Sequence, residues 1–229
     1  MNNIRTITID LDDTLWAIHP VIKRAEARLY EWLGENYPRI TQLYTPAELH
    51  DVRSQIVAEF ADRSHDLTFL RHTVLSRVGV AAGYTTDFID AAFDVFDEVR
   101  NDVEIFPGVI PALEELGDRF RLIAVTNGNA NLEVIGIRHL FDHVVTAVMA
   151  GAAKPAAQVF DLAVEAGGAS KQQTLHVGDH PVYDVDGARN AGLRTAWVNR
   201  DASAWPEEFQ APEIEVTHVG ELPGVLGIE

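Results

Sequence analysis

The chain has 229 residues, of which 47% are hydrophobic and 23% are charged, as in an ordinary globular protein. Its formal net charge of −17 argues against nucleic acid and anionic membrane as partners, because both require basic patches. The absence of cysteine excludes disulfides, thiolate catalysis and cysteine-based zinc sites. No apolar stretch reaches transmembrane length and the first residues lack a signal-peptide pattern, so we expect a cytoplasmic protein.

The first predicted strand, residues 4–9, ends directly in two acids that are separated by one residue. Carboxylates as close as those of Asp10 and Asp12 repel each other, and a divalent cation with oxygen ligands is the usual compensation. The same Asp side chains and Thr14 can also bind their own backbone in a turn. The segment alone is therefore compatible with a metal-dependent loop or with a plain turn.

Residues 17 to about 100 have helical character throughout. Residues 45–48 form a capping box with proline at the first helical position. Apolar residues recur at helical spacing over 67–78, and Gly79 is expected to end that helix. Thr86 is the expected cap of one further helix. This part of the chain is predicted to be all-helical.

From Pro107 onward, apolar runs of strand length alternate with helical segments. The runs are continuous, as expected for parallel strands buried on both faces. The predicted strands are 122–125, 144–148, 174–177 and 194–198, with one more β-rich piece of unclear role at 214–217. The predicted helices are about 108–117, 129–139, 156–166 and 184–191. The simplest architecture is one open parallel sheet flanked by helices, with an all-helical insert after its first strand.

Polar residues lie just past the end of each of these strands, where ligands bind in open α/β sheets. Thr126 and Asn127 follow the second strand, Lys154 the third, and Asp179 and Asp184 the fourth. Taken singly, these residues are compatible with turns, a helix cap or a solvated lysine. Taken together and in order, they favour a site that binds a divalent cation and a phosphoryl group.

The four motifs resemble those of the haloacid dehalogenase-like hydrolase superfamily. They are the segment 10–14, the run 126–128, Lys154, and Gly178-Asp179 followed by Asp184. The resemblance covers about residues 4–200. It implies an α/β fold in which a Rossmann-like open parallel sheet core, residues 1–16 and 100–229, carries an inserted all-helical cap domain at 17–99.

The resemblance also implies catalytic and metal-binding roles. Asp10 would be the nucleophile that forms an aspartyl-phosphate, and Asp12 would be the general acid and then the general base. Mg²⁺ would be held by Asp10, the backbone carbonyl of Asp12, and Asp179. We therefore expect a metal-binding enzyme that uses Mg²⁺.

A second group of residues would bind the phosphoryl group or support those that do. Thr126, Asn127 and Lys154 are predicted to bind its oxygens. Asp184 would orient Lys154 or a metal-bound water, and Thr14 would bind the loop backbone.

The motifs favour a phosphatase acting on a small phosphorylated metabolite. The dehalogenases that name the superfamily need no metal and lack the acid at the position of Asp12. The details resemble a bacterial branch that acts on flavin mononucleotide and a phosphorylated riboflavin precursor, with nucleotidases and sugar-phosphate phosphatases close by. A phosphomutase on the same scaffold and a non-catalytic phosphometabolite-binding protein stay open, and the oligomeric state is not predicted.

Three further residues are candidates for contact with the rest of the substrate. Trp16 and His19 lie just past the nucleophile loop, where an aromatic face can stack on a planar ligand. The alternative for Trp16 is a packing role at the joint of core and cap. Arg71 lies on a predicted helix, where it can reach a substrate or form a surface ion pair with Asp66 or another acid.

Overall fold

The computed structural model describes residues 3–228, which divide into two compact units. One unit contains the chain up to Ala17, Glu104–Gly128 and the residues from Leu132 onward. The other contains Ile18–Val103 and Asn129–Asn131. Within residues 3–228, no helix combines the length and apolarity that crossing a membrane requires.

The first unit is built on a sheet of six parallel strands in the order β3-β2-β1-β4-β5-β6. The strands are β1 Thr6–Ile9, β2 Arg121–Thr126, β3 His143–Thr146, β4 Thr174–Gly178, β5 Arg194–Val198 and β6 Ile214–Val216. Every residue of β1 and β4 is buried, as expected for central strands of a parallel sheet. The predicted Rossmann-like α/β fold is confirmed, and the piece near residue 214 is its sixth strand.

Over the residues that the structure describes, the second unit is built of helices. They are α1 Ile18–Asn36, α2 Pro38–Leu43, α3 Pro46–Glu59, α4 Leu67–Ala81 and α5 Ile89–Arg100, with a 3-10 turn at Ala61–Arg63. The capping box of Thr45 and Glu48 is present at the start of α3. The predicted ends of two other helices are wrong, since α4 continues past Gly79 and α5 begins after Phe88 rather than at Thr86. Inside α4, Gly79 is needed for packing rather than for a helix end, since a Cβ at this position would lie 2.5 Å from the Phe88 ring.

Helices and turns complete the sheet unit. They are α6 Val109–Gly117, α7 Leu132–Ile135, α8 Ala147–Ala150, α9 Ala157–Gly167, α10 Gly187–Asn190 and α11 Leu222–Val225, with 3-10 turns at Arg138–Leu140, Lys171–Gln173 and Val219–Glu221 and a π turn at Pro181–Asp186. The predicted strand 144–148 is too long, because the Thr146 hydroxyl accepts the Met149 N–H at 3.2 Å and starts α8. The predicted helix 129–139 is also too long, because the chain turns at Gly136 with φ of 88°.

Candidate active site

The carboxyl ends of the central strands lie side by side, and this brings the predicted residues together. Ile9 at the end of β1 pairs with Ala124 of β2 and with Val177 of β4. The Asp10 N–H donates to the Val177 carbonyl at 2.9 Å. Parallel strands in register end at one edge, so the residues just past β1 and β4 share that edge.

Lys154 forms the centre of a buried ionic cluster at this edge. Its ammonium group contacts Asp10 Oδ1, donates to Asp184 Oδ1 at 2.6 Å and donates to the Val125 carbonyl at 3.2 Å. The exposed fractions of Lys154, Asp10 and Asp184 are 4%, 6% and 2%. A buried cation between two buried carboxylates persists only when its partners are well placed, as they are here.

Thr14 connects the nucleophile loop to the loop after β4. Its Oγ1 lies 3.1 Å from Asp10 Oδ2 and 3.2 Å from Asp179 Oδ1. The hydroxyl has one proton and therefore donates to one carboxylate at a time. The predicted bond from this side chain to the loop backbone is wrong, since its partners are the two carboxylates.

The cluster holds more negative than positive charge. Burial raises the pKa of Asp10 well above its usual range, although Lys154 opposes this. Burial, and then the charges of Asp184 and Asp13, raise the pKa of Asp179 to about 7. A group of acids whose pKa values rise because of burial and mutual repulsion is a group that a cation would stabilise.

Lys154 and Asp184 are held in their charged forms. Burial alone would lower the pKa of Lys154, but Asp10 and Asp184 outweigh it and hold that pKa above its usual range. Burial alone would raise the pKa of Asp184, but the Lys154 charge and the bond to His176 hold it well below its usual range. This pair is therefore a fixed ion pair at the floor of the cluster.

Three carboxylates in this cluster are close enough to share a metal ion. One oxygen each of Asp10, Asp179 and Asp184 lies within 4.8 Å of the others. Carboxylate oxygens are the ligands that hard divalent cations prefer. When all three are ionised, the positive charge of Lys154 leaves an excess of two negative charges among the described groups, which one such cation would balance.

Asn127 supports Lys154 through its side chain. Its Oδ1 accepts the Lys154 N–H at 2.7 Å, and its Nδ2 donates to the Lys154 carbonyl at 3.0 Å. The Asn127 side chain is thus bound to the main chain of Lys154. The predicted contact of Asn127 with phosphate therefore stays a prediction for its main chain alone.

Thr126 lies at the end of β2 and is buried. Its hydroxyl accepts the Gly128 N–H at 2.8 Å, which closes a turn. The predicted start of the next helix, at residue 129, is wrong, since α7 begins at Leu132. Thr126 therefore shapes the loop, and its contact with a phosphoryl oxygen stays a prediction.

His176 is part of the cluster, although the sequence motifs did not predict it. Its Nε2 lies 3.1 Å from Asp184 Oδ1 and its Nδ1 lies 2.8 Å from Thr8 Oγ1. Burial lowers the pKa of His176, so the ring is neutral and donates from Nε2 to the carboxylate. The available signal was a histidine inside a strand that is buried throughout, and Thr8 is its direct neighbour in the sheet.

Gly178 is required by the close approach of Asp184. A Cβ at Gly178 would lie 2.3 Å from Asp184 Cγ. Any side chain at this position would therefore displace the carboxylate that holds Lys154. The close packing of Asp184 thus explains why the fourth motif has a glycine before Asp179.

The Trp16 side chain has an exposed fraction of 0%, so neither face of its ring is open to a ligand. Its Nε1 donates to Asp12 Oδ1 at 2.9 Å. The predicted substrate contact is thus corrected to a contact with the Asp12 carboxylate. A second tryptophan binds the other loop, since Trp197 Nε1 donates to the Asp179 carbonyl at 2.7 Å.

His19 and Arg71 both belong to the helical unit. His19 is exposed in the first turn of α1. The guanidinium carbon of Arg71 lies 3.4 Å from the centroid of the Phe96 ring, and a guanidinium nitrogen lies 3.9 Å from a Glu26 carboxylate oxygen. Burial lowers the pKa of Arg71 to about 10, which leaves it charged at neutral pH. The acid that pairs with Arg71 is thus Glu26, and substrate contacts of both residues stay predictions.

A cavity of about 610 Å³ opens within the sheet unit beside Asp13 and Asp179. Phe106, Trp197 and Arg200 are among the residues that line it, and the Arg200 guanidinium carbon lies 3.4 Å from the Phe106 ring centroid. Its volume is in the range of cavities that hold small molecules. Space for a metabolite-sized ligand thus lies next to one of the clustered carboxylates.

Known proteins that are similar to this chain in sequence and fold include both phosphatases and dehalogenases. The chain is 27% identical over 233 residues to 5-amino-6-(5-phospho-D-ribitylamino)uracil phosphatase YigB of Escherichia coli K12, covering 99% of this chain and 98% of that protein. It is 28% identical over 226 residues to haloacetate dehalogenase H-2 of Moraxella sp. strain B, covering 94% and 95%. The crystal structure of a 2-haloacid dehalogenase from Pseudomonas syringae pv. Tomato DC3000 superposes with a TM-score of 0.92 at 37% identity, covering 97% and 98%.

The match to the family extends over most of the chain. A family model described as haloacid dehalogenase-like hydrolase matches residues 4–192, which include all four motifs. The predicted resemblance is confirmed: the chain belongs to the haloacid dehalogenase-like hydrolase family of enzymes.

Proposed function

We propose that this hydrolase is a Mg²⁺-dependent phosphatase that cleaves small phosphate monoesters through an aspartyl-phosphate on Asp10. The observation that carries the proposal is the buried cluster at the strand ends. Asp10, Lys154 and Asp184 are in direct contact there, and Asp179 lies beside them. A fixed ammonium and an acidic group with excess negative charge together suit a phosphoryl group that arrives with a divalent cation.

The residues present fit a Mg²⁺ ion. Asp10, Asp179 and the main-chain carbonyl of Asp12 would hold it, and all three are hard oxygen ligands. When bound, the ion would neutralise charge on the phosphoryl oxygens and keep the neighbouring acids ionised. Burial and the charges of neighbouring acids raise the pKa values of Asp10 and Asp179, and a bound divalent cation would offset both effects.

The first chemical step belongs to Asp10 and Asp12. A carboxylate oxygen of Asp10 attacks phosphorus, and the bond from phosphorus to the ester oxygen breaks with its electron pair on that oxygen. Asp12 gives its proton to this oxygen, so the alcohol leaves neutral. The product on the enzyme is an acyl phosphate at Asp10.

The second step restores both acids. The Asp12 carboxylate takes a proton from a water molecule whose oxygen attacks the same phosphorus. The bond between phosphorus and the Asp10 oxygen then breaks, and inorganic phosphate leaves. Lys154, held by Asp184 and by the side chain of Asn127, would stabilise the charge on the phosphoryl oxygens in both steps.

The similarity to YigB supports a phosphorylated metabolite as substrate. The name of YigB gives a phosphorylated ribitylamino-uracil as the compound that YigB dephosphorylates, and its alignment covers 99% of this chain. The same substrate, flavin mononucleotide, nucleotides and sugar phosphates are the panel that we propose. The cavity beside Asp179 offers the volume for such an alcohol.

A dehalogenase is the second candidate, because the structure with a TM-score of 0.92 carries that name. In a dehalogenase, Asp10 would attack a carbon atom that bears a halogen, and no proton donor to an alcohol would be needed. The presence of Asp12 and of the acidic cluster supports the phosphatase instead. A phosphomutase would differ from the proposed phosphatase, because it would isomerise a sugar phosphate without releasing inorganic phosphate.

The test is an assay of phosphate release across the proposed panel with Mg²⁺ and then with EDTA. We expect activity that the chelator removes and that Asp10→Asn abolishes while the protein stays folded. A parallel arm measures halide release from 2-haloacids. Halide release without phosphate release would overturn the proposal, and so would ester hydrolysis that survives EDTA. Binding of phosphorylated compounds with neither reaction would indicate a non-catalytic binding protein.

A further inference from the structure

We propose that Trp16 is a positioning residue for the general acid, through the hydrogen bond from its indole N–H to Asp12. The inference rests on the phosphatase function proposed above. Trp16 Nε1 donates to Asp12 Oδ1 at 2.9 Å, although Asp12 itself is only partly buried. This bond fixes one oxygen of the Asp12 carboxyl group, and only some rotamers of an aspartate would face an ester oxygen.

The donor is itself immobile. The Trp16 ring is fully buried, and its main chain pairs with Asp12 on one side and Ile105 on the other. The Asp13 N–H donates to the Trp16 carbonyl at 2.8 Å, and the Phe106 N–H donates to the Leu15 carbonyl at 2.9 Å. The loop therefore returns on itself and places a rigid donor four residues after the acid.

The Trp16 donor fixes the orientation of the Asp12 carboxyl group. An indole N–H can only donate, so Asp12 Oδ1 is the acceptor of this bond. Because the donor is rigid, the bond holds the carboxyl group in one orientation toward the oxygen of the leaving alcohol.

Leaving-group dependence tests this inference, because proton delivery matters only for a poor leaving group. An alkyl phosphate needs a proton on its departing oxygen, whereas p-nitrophenyl phosphate does not. We expect Trp16→Phe to lower the single-turnover rate of alcohol release, which reports the first step alone, by about 10–100-fold for the alkyl ester and by less than about threefold for the aryl ester. KM should change little for either ester, since the inference concerns the transition state.

A matched control is Trp32→Phe, which truncates a partly buried tryptophan of the helical unit and should leave both rates unchanged. If Trp16→Phe does not fold, 3-benzothienylalanine at position 16 keeps the bicyclic shape and replaces only the N–H group. Equal losses on both esters, or no loss, would overturn the inference and leave the phosphatase in place. A wild-type protein that hydrolyses neither ester would overturn both proposals.

Discussion

Both units of this molecule bury apolar side chains, and the sheet unit also buries a cluster of charged groups. In the sheet unit, Asp10, Lys154, His176 and Asp184 are all nearly inaccessible to solvent and bind one another. The main buried cluster of the helical unit is apolar and consists of Ala25, Leu29, Leu33, Ile40, Leu75, Val78, Ala82, Phe88, Ala92 and Phe96. Burying charges costs stability unless every partner is present, whereas burying apolar area supplies it. The strand ends thus bury charges at a cost in stability, as the proposed catalytic site requires, and the helical core stabilises its unit by apolar burial.

The largest expected effect is that of Lys154→Met, which removes the shared cation from the cluster. Two buried carboxylates would then face each other without a cation between them. We expect the free energy of unfolding to fall by about 3–5 kcal/mol and kcat to fall by about 10²–10³-fold. Denaturant unfolding and the phosphate-release assay measure the two effects.

The control for this variant is Lys171→Met in the same unit. Lys171 pairs with Asp161, but both side chains are well exposed, and such surface pairs contribute about 0–1 kcal/mol. A similar loss of stability in both lysine variants would show that the bonds of Lys154 contribute no more to stability than a surface ion pair does.

His176→Leu separates the geometry of the cluster from its charge. Leucine keeps the site filled but removes the donor to Asp184 and the partner of Thr8. We expect kcat to fall by about 10–100-fold with little change in KM, and stability to fall by about 1–3 kcal/mol. His143→Leu replaces an exposed histidine at the start of β3 and should change neither quantity. A wild-type kcat in His176→Leu would mean that Asp184 needs no support from the ring.

The raised pKa of Asp179 predicts how pH and metal affect stability. In the unfolded chain this carboxyl has its ordinary value of 3.8, and in the folded metal-free protein it has a pKa of about 7. Between these values the folded state holds a proton that the unfolded chain releases. The proton therefore stabilises the fold at acidic pH, and this contribution is lost as pH rises through 7.

Asp179→Asn isolates this effect, because asparagine does not titrate. In EDTA, we expect the Tm of the wild type relative to the variant to decline from pH 4 to 7, by about 2–4 °C for each kcal/mol lost. Mg²⁺ should raise the wild-type Tm more at pH 7.5 than at pH 5 and should have little effect on the variant. Scanning calorimetry measures both, and parallel curves for the two proteins would contradict the assignment.

The residues at the strand ends were predictable, because parallel strands in one sheet bring the loops at their carboxyl ends to one edge. That rule located Asp10, Lys154 and Asp179 without any knowledge of their contacts. His176 was not found, since its role depends on which residue of β1 lies beside it. For Trp16 the sequence left open a stacked ligand or a packing role, and its bond to Asp12 was not found, because the fold of the loop decides where its ring points.

The smallest expected effect is that of Thr45→Ala, which tests the helical side of the comparison. The Thr45 hydroxyl accepts the Glu48 N–H at 3.3 Å, and a Glu48 carboxylate oxygen accepts the Thr45 N–H at 2.7 Å. Loss of the hydroxyl leaves an N–H at the start of α3 without its cap, so stability should fall by about 0.5–2 kcal/mol. Thr41→Ala, which removes a hydroxyl bound to the Pro38 carbonyl rather than a cap, should cost less. Because the helical core supplies stability and the strand ends supply chemistry, kcat per folded molecule should equal that of the wild type in both variants. A fall in kcat beyond the loss of folded protein would show that the two tasks are not divided in this way.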